Sequence, residues 1–139
     1  MKWAALILWV ITALGGFGLL GIWLQRGGMA QSSQPGRRIR PPLIFGHMLL
    51  AATGLVLWII YVASDSDALA WIAFVLLLVV ALLGFTMLAA WLAQRGGAAA
   101  AETADAAERN FPQAVVGLHG VLAATTLVLV FLATIGVGD

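Results

Sequence analysis

The chain has 139 residues, of which 63% are hydrophobic and 9% charged, with a formal net charge of +1. Soluble domains carry roughly 25% charged residues, so a chain this poor in charge is expected to turn most of its surface to lipid. The lack of cysteine excludes disulfides, thiolate metal sites, iron–sulfur clusters and covalent c-type haem attachment within the chain, and without a basic tract carrying interleaved aromatics there is no footing for nucleic acid.

Crossing the hydrocarbon core as a helix takes about 20 apolar residues, and four stretches qualify: 3–24, 43–63, 68–93 and 113–137. None contains a charged residue. Helix is the expected form, because hydrocarbon offers no partners to backbone N–H and C=O groups. The first stretch is longer than the apolar region of a signal peptide and is followed by Arg26, so it reads as a retained span. Residues 25–42 form a long polar connection with Arg26, Arg37, Arg38 and Arg40, and 64–67 a tight acidic turn. Residues 94–110 carry Arg95, Arg109 and three acids. Their Ala-rich centre, 98–107, offers a short surface helix, although a solvated connector is the plainer expectation. The length suits one membrane domain over 1–139.

Six of the seven basic residues lie in the two long loops. The positive-inside rule therefore puts loops 25–42 and 94–110 in the cytoplasm and both termini outside, as a multi-pass protein of the cell (inner) membrane.

The spans repeat. GFGLLGIWL at 16–24 matches GFTMLAAWL at 84–92, and each runs on into QRGG, at 25–28 and 94–97. HMLLAATGLVL at 47–57 matches HGVLAATTLVL at 119–129, with eight of eleven positions identical. Leu/Ala bias does not place a histidine and a QRGG tetrapeptide in register as well. The expected fold is an all-α four-transmembrane-helix bundle of two tandem two-helix repeats, 3–63 and 68–137, related by a pseudo-twofold axis along the membrane normal.

Such an axis puts His47 and His119 at one depth, on the second and fourth helices. Those are diagonal in an up-down-up-down bundle and roughly 12–14 Å apart, given neighbours at about 8–10 Å. Two inward imidazoles across that gap suit one shared metal ion, or one haem iron with a histidine on each face. Ionisable groups inside spans are expensive and usually functional; the plain alternative is two interhelical or interfacial histidines inherited by duplication. Small residues flank each histidine: Ala51, Ala52 and Gly54 in one copy, Gly120, Ala123 and Ala124 in the other. With Gly15, Gly16, Gly18, Gly21, Gly84, Ala89 and Ala90 they make room for a flat macrocycle, although close helix packing is their ordinary use in membranes. Thr53 and Thr125 either tune such a group or bond back to their own helices. Arg40 and Arg109, ahead of the histidines, are candidate partners for haem propionates as well as plain positive-inside residues. A bare zinc or copper site lacks ligands, with Met48 and Met87 as the only further soft donors. Trp23, Trp58 and Trp91 near span ends fit aromatic belts.

This layout resembles the small four-helix transmembrane b-type cytochromes, which hold haem between histidines; the motif that carries the resemblance is one histidine per repeat, His47 and His119. The resemblance implies one haem b, bound axially by these two residues near the cytoplasmic face, and a one-haem relay or membrane anchor exchanging electrons with quinol or a redox partner protein. Many such cytochromes carry two histidines on one helix and two haems, and this chain departs from that. The chain has no catalytic triad, phosphate loop or three-ligand metal set, and is not expected to be an enzyme alone. Two other readings stay open: a non-catalytic or assembly subunit of a larger membrane complex or homo-oligomer, with or without a pigment, and a small transporter. Proton-coupled export is disfavoured, because none of the six acids lies inside a span.

Overall fold

The computed structural model describes residues 1–34, 37, 39–96, 101 and 103–138. It is all-helical. Helix α1 runs Lys2–Gln25, the one-turn α2 Gly28–Gln31, α3 Pro41–Ser64, α4 Asp67–Ala93 and α5 Gln113–Thr134, with a 3-10 turn Ala107–Asn110 before α5. The four long helices, α1, α3, α4 and α5, are long and apolar enough to cross a membrane. At 1.5 Å per residue, the 24 residues of α1 or α3 rise about 36 Å, more than the roughly 30 Å hydrocarbon core.

Local chemistry sets the ends. Pro41 and Pro42 open α3, where their missing N–H groups would be unpaired in any case. Helix α3 stops at Asp65, which takes a left-handed φ of 53°. The Asp65 carboxylate pairs with Lys2, across the end of the bundle. Helix α5 ends three residues short of the expected 137. Gly136 adopts φ 79°, its N–H bonds to Ala133 O, and Val137 N–H reaches back to Leu132 O at 2.9 Å. This is a Schellman stop, which a glycine makes without strain.

Helix α1 packs on α5 and α3, and α4 packs on α3 and α5, leaving α1/α4 and α3/α5 as diagonals. The seams α3–α4 and α1–α5 are extensive, whereas α1–α3 and α4–α5 are lighter. Packing is uneven along the bundle too. Ala5, Trp9, Trp58, Tyr61, Ala70, Ala73, Leu77, Val80, Val130 and Ala133 form a solid core in the half beside the termini and the Asp65 turn. The half beside the long loops is hollow.

The two long loops sit at one end and touch. Gln31 Nε2 donates to Asp105 O at 3.2 Å, Ala107 N donates to Gln31 Oε1 at 3.0 Å, and Arg37 pairs with Asp105 at 2.9 Å. Residues 98–100 lie outside the described residues, as do Arg38, Glu102 and Asp139. The described part corrects the expectation of a solvated connector: Thr103, Ala106, Ala107 and Glu108 are buried. The aromatic belts are corrected as well. Trp23, Trp58 and Trp91 are buried inside the bundle, and the indole N–H of Trp58 donates to Lys2 O at 3.2 Å. Tryptophan fills the bundle's ends, where a large ring with one donor satisfies both packing and a free carbonyl.

Gly28 is required by that packing. A Cβ there would overlap the indole of Trp23, which is 1% exposed and has nowhere to move. Gly28→Ala is expected to cost about 1–3 kcal/mol, the usual range for overpacking, read as a thermal midpoint several degrees lower in detergent.

Candidate functional site

His47 on α3 and His119 on α5 both point into the hollow half, with ring centroids 6.4 Å apart and planes at 61°. Each is held in the same way. His47 Nδ1 lies 3.0 Å from Val80 O on α4, and His119 Nδ1 lies 3.0 Å from Thr12 O on α1. A carbonyl has no proton to give, so each Nδ1 must be the donor. The neutral ring then carries its lone pair on Nε2, the form in which second-shell bonding orients a metal-ligating histidine.

Glycine makes these bonds possible. In a helix the carbonyl of residue i lies beneath the side chain at i+4. The residues four on from Thr12 and Val80 are Gly16 and Gly84. A Cβ at Gly16 would come to 3.1 Å from His119 Cε1, and one at Gly84 to 3.3 Å from His47 Cε1. These glycines therefore seat imidazoles, a use that neither reading of the small residues named. Gly54 serves packing, since its Cβ position is 3.1 Å from the Trp9 ring. Gly18, Gly21 and Gly120 face open space.

The rings line a cavity of about 460 Å³, within the roughly 300–1,000 Å³ of small-molecule sites. Ala51, Ala52, Ala123, Ala124, Gly120, Met48 and Met87 line it, as expected of a space cleared by small residues and a few flexible ones. Trp9, Leu77 and Val80 close it toward the solid core, and Trp23, Trp91, Ile39 and Phe111 close it toward the loops. Phe17 and Phe85 line it while being 54% and 63% exposed. The cavity thus reaches the bundle surface beside these two rings.

Of the two roles open to Thr53 and Thr125, the structure shows back-bonding to their own helices. Thr53 and Thr125 are exposed and bond back to Leu49 O and Val121 O, each at 2.9 Å. The cavity threonines are Thr12 and Thr126, whose hydroxyls meet at 3.3 Å between α1 and α5. Thr126 lies seven residues beyond His119, two turns on along the same face of α5; Thr12, on a helix without a histidine, carried no such signal. Arg40 is exposed at the start of α3. Arg109 donates to Gln94 O at 2.7 Å. Neither is among the residues that line the cavity.

The donor set is two imidazole nitrogens. Among the described residues no group of three or more His, Asp or Glu is placed to hold a metal, so a structural zinc with four protein ligands, or a catalytic one with three, does not fit. The two rings, with centres 6.4 Å apart and Nδ1 atoms committed to backbone carbonyls, would offer their Nε2 atoms to a metal that brings its remaining ligands with it. Comparisons with protein-family models, with curated proteins and with solved structures find no match for this chain.

Proposed function

We propose that this chain is a membrane haem b protein that holds one haem between His47 and His119 and passes single electrons. One observation carries the reading: two Nδ1 atoms tied to carbonyls of facing helices, leaving the Nε2 lone pairs of two rings that line one apolar cavity. The iron would supply the one-electron chemistry; the chain supplies axial nitrogens, fixes their tautomer, and keeps the site dry and apolar, the levers that tune such an iron. His47 and His119 are the ligands in this reading.

The tandem duplication is part of the proposal. Buried positions support it: Ala5, Trp9, Thr12 and Trp23 in α1 correspond, 68 residues on, to Ala73, Leu77, Val80 and Trp91 in α4. The carbonyl that receives each histidine is also the same repeat position. The cell (inner) membrane, cytoplasmic long loops, and exchange of electrons with quinol or a partner protein remain proposals from charge asymmetry and chemistry.

A purely structural role for the histidines is favoured by the same Nδ1 bonds, which would by themselves join α3 to α4 and α5 to α1. An absorption spectrum separates the two. Protein purified in detergent from haem-replete cells is expected to show a Soret band and, on reduction, the sharp alpha and beta bands of low-spin haem. A colourless protein that also fails to take up added haem would leave the structural role.

A further inference from the structure

The soft donors that lacked a place in the sequence share the cavity with the histidines. Met48 and Met87 line it together with His47 and His119. The other two of the chain's four methionines, Met1 and Met29, lie at the surface. Met87 stands in a definite relation to His47. The His47 ring lies against α4 from Val80, whose carbonyl receives Nδ1 at 3.0 Å, to Gly84, whose Cβ position is 3.3 Å from Cε1. Met87 comes one turn beyond Gly84 on the same face, since positions 80, 84 and 87 fall on one stripe of a helix. Helical side chains lean toward the helix N-terminus. The Met87 side chain therefore leans back toward Gly84 and the ring edge where Cε1 joins Nε2. Met48 follows His47 on α3 and is half-buried, as is Met87. The matching positions in the other half of the chain are Gly120 and Leu19, so both thioethers belong to the His47 side.

These four side chains give the cavity two imidazole nitrogens and two thioether sulfurs, all neutral. Each Nδ1 is already committed to a carbonyl, which leaves Nε2 as the free nitrogen. Among the described residues no Asp, Glu, Lys or Arg lines the cavity. A cation there meets no counter-charge, and the cost of taking an ion out of water rises with the square of its charge. A monovalent ion is therefore favoured over a divalent one. Sodium and potassium call for oxygen donors, whereas thioether and imidazole suit Cu(I), a soft closed-shell ion without a fixed geometry. We propose that the cavity is a Cu(I) site, with Nε2 of His47 and His119 and the thioethers of Met87 and Met48 as ligands. The site stands apart from the haem reading. Haem and Cu(I) compete for the same two nitrogens, and only Cu(I) needs the sulfurs.

The test titrates haem-free full-length protein in detergent with Cu(I), kept reduced by ascorbate and buffered by a chromophoric Cu(I) chelator. Wild type is expected to take one Cu(I) per chain from the chelator and to hold it against an equal concentration of Zn(II). His47→Ala and His119→Ala should each weaken Cu(I) at least roughly tenfold, the lower bound for losing even an outer-shell partner of a metal. The double variant Met48→Leu/Met87→Leu should weaken Cu(I) by about tenfold or more on the same scale. Leucine conserves the volume of methionine, so its thermal midpoint should match that of wild type. Met87→Leu alone serves if the double variant does not fold. Met29→Leu should leave Cu(I) binding unchanged, which sets the cavity methionines apart from the surface ones. Three results overturn the site: no Cu(I) taken from the chelator, displacement of Cu(I) by equal Zn(II), or a Cu(I) affinity that falls no further in the cavity methionine variants than in Met29→Leu. None of them touches the haem reading, which the spectrum with haem decides by itself.

Discussion

Replacing either His47 or His119 by alanine is expected to turn a six-coordinate low-spin haem spectrum into a five-coordinate high-spin one, or to abolish binding. Each imidazole supplies one of the two nitrogen donors that line the cavity, and among the described residues no group of three or more His, Asp or Glu is placed to hold a metal. Loss of a ligand should exceed the roughly 10–100-fold cost of losing an outer-shell partner. The two variants should behave alike, since the two rings have matching acceptors at matching distances. External imidazole should restore the low-spin spectrum in both, because deletion leaves a ring-sized space lined by Gly16 or Gly84. A spectrum unaltered in both variants would show that the iron, if present, is bound elsewhere.

The second large effect is expected at the glycines that bear the imidazoles. Gly16→Leu should mimic His119→Ala, and Gly84→Leu should mimic His47→Ala, although neither glycine is a ligand. A Cβ alone would press on the ring Cε1 at 3.1 or 3.3 Å. A branched side chain would cover the Thr12 or Val80 carbonyl that receives Nδ1. The ring would then lose its orientation and its fixed tautomer together, and haem affinity should fall at least tenfold. Gly18→Leu is the matched control. It lies on the same helix two residues on, its Cβ meets nothing within 4 Å, and the spectrum should be unchanged. If Gly18→Leu and Gly16→Leu fail equally, general helix packing rather than imidazole seating explains the glycines.

Much of the candidate site was legible because similar segments occur twice in the sequence. A histidine, QRGG and GF recurring in register singled out His47, His119, Gly16 and Gly84 before any coordinates. The carbonyls of Thr12 and Val80 were not legible as acceptors, since every residue has one. Only the facing helix shows which carbonyl is uncovered. Arg37 was read as one of several loop cations, and its burial depends on how the 25–42 connection folds over the 103–110 segment, a contact between residues far apart in the chain. The tryptophans misled for a related reason. A tryptophan near a span end suits the lipid interface or the bundle interior equally well, and composition does not say which way the ring turns.

The amino-acid sequence alone determined four apolar helices, their approximate ends, and the pairing of two histidines across a bundle. Those follow from hydrophobic length, from proline and glycine at helix ends, and from internal repetition, all of which act within a single stretch of chain. The tertiary structure decided that one half of the bundle is solid and the other hollow, and that the imidazoles turn inward on specific carbonyls. It also buried an arginine and a glutamine, Arg37 and Gln94, outside the four spans. Such features arise where side chains from distant stretches compete for one volume, and that competition is settled only when the helices pack.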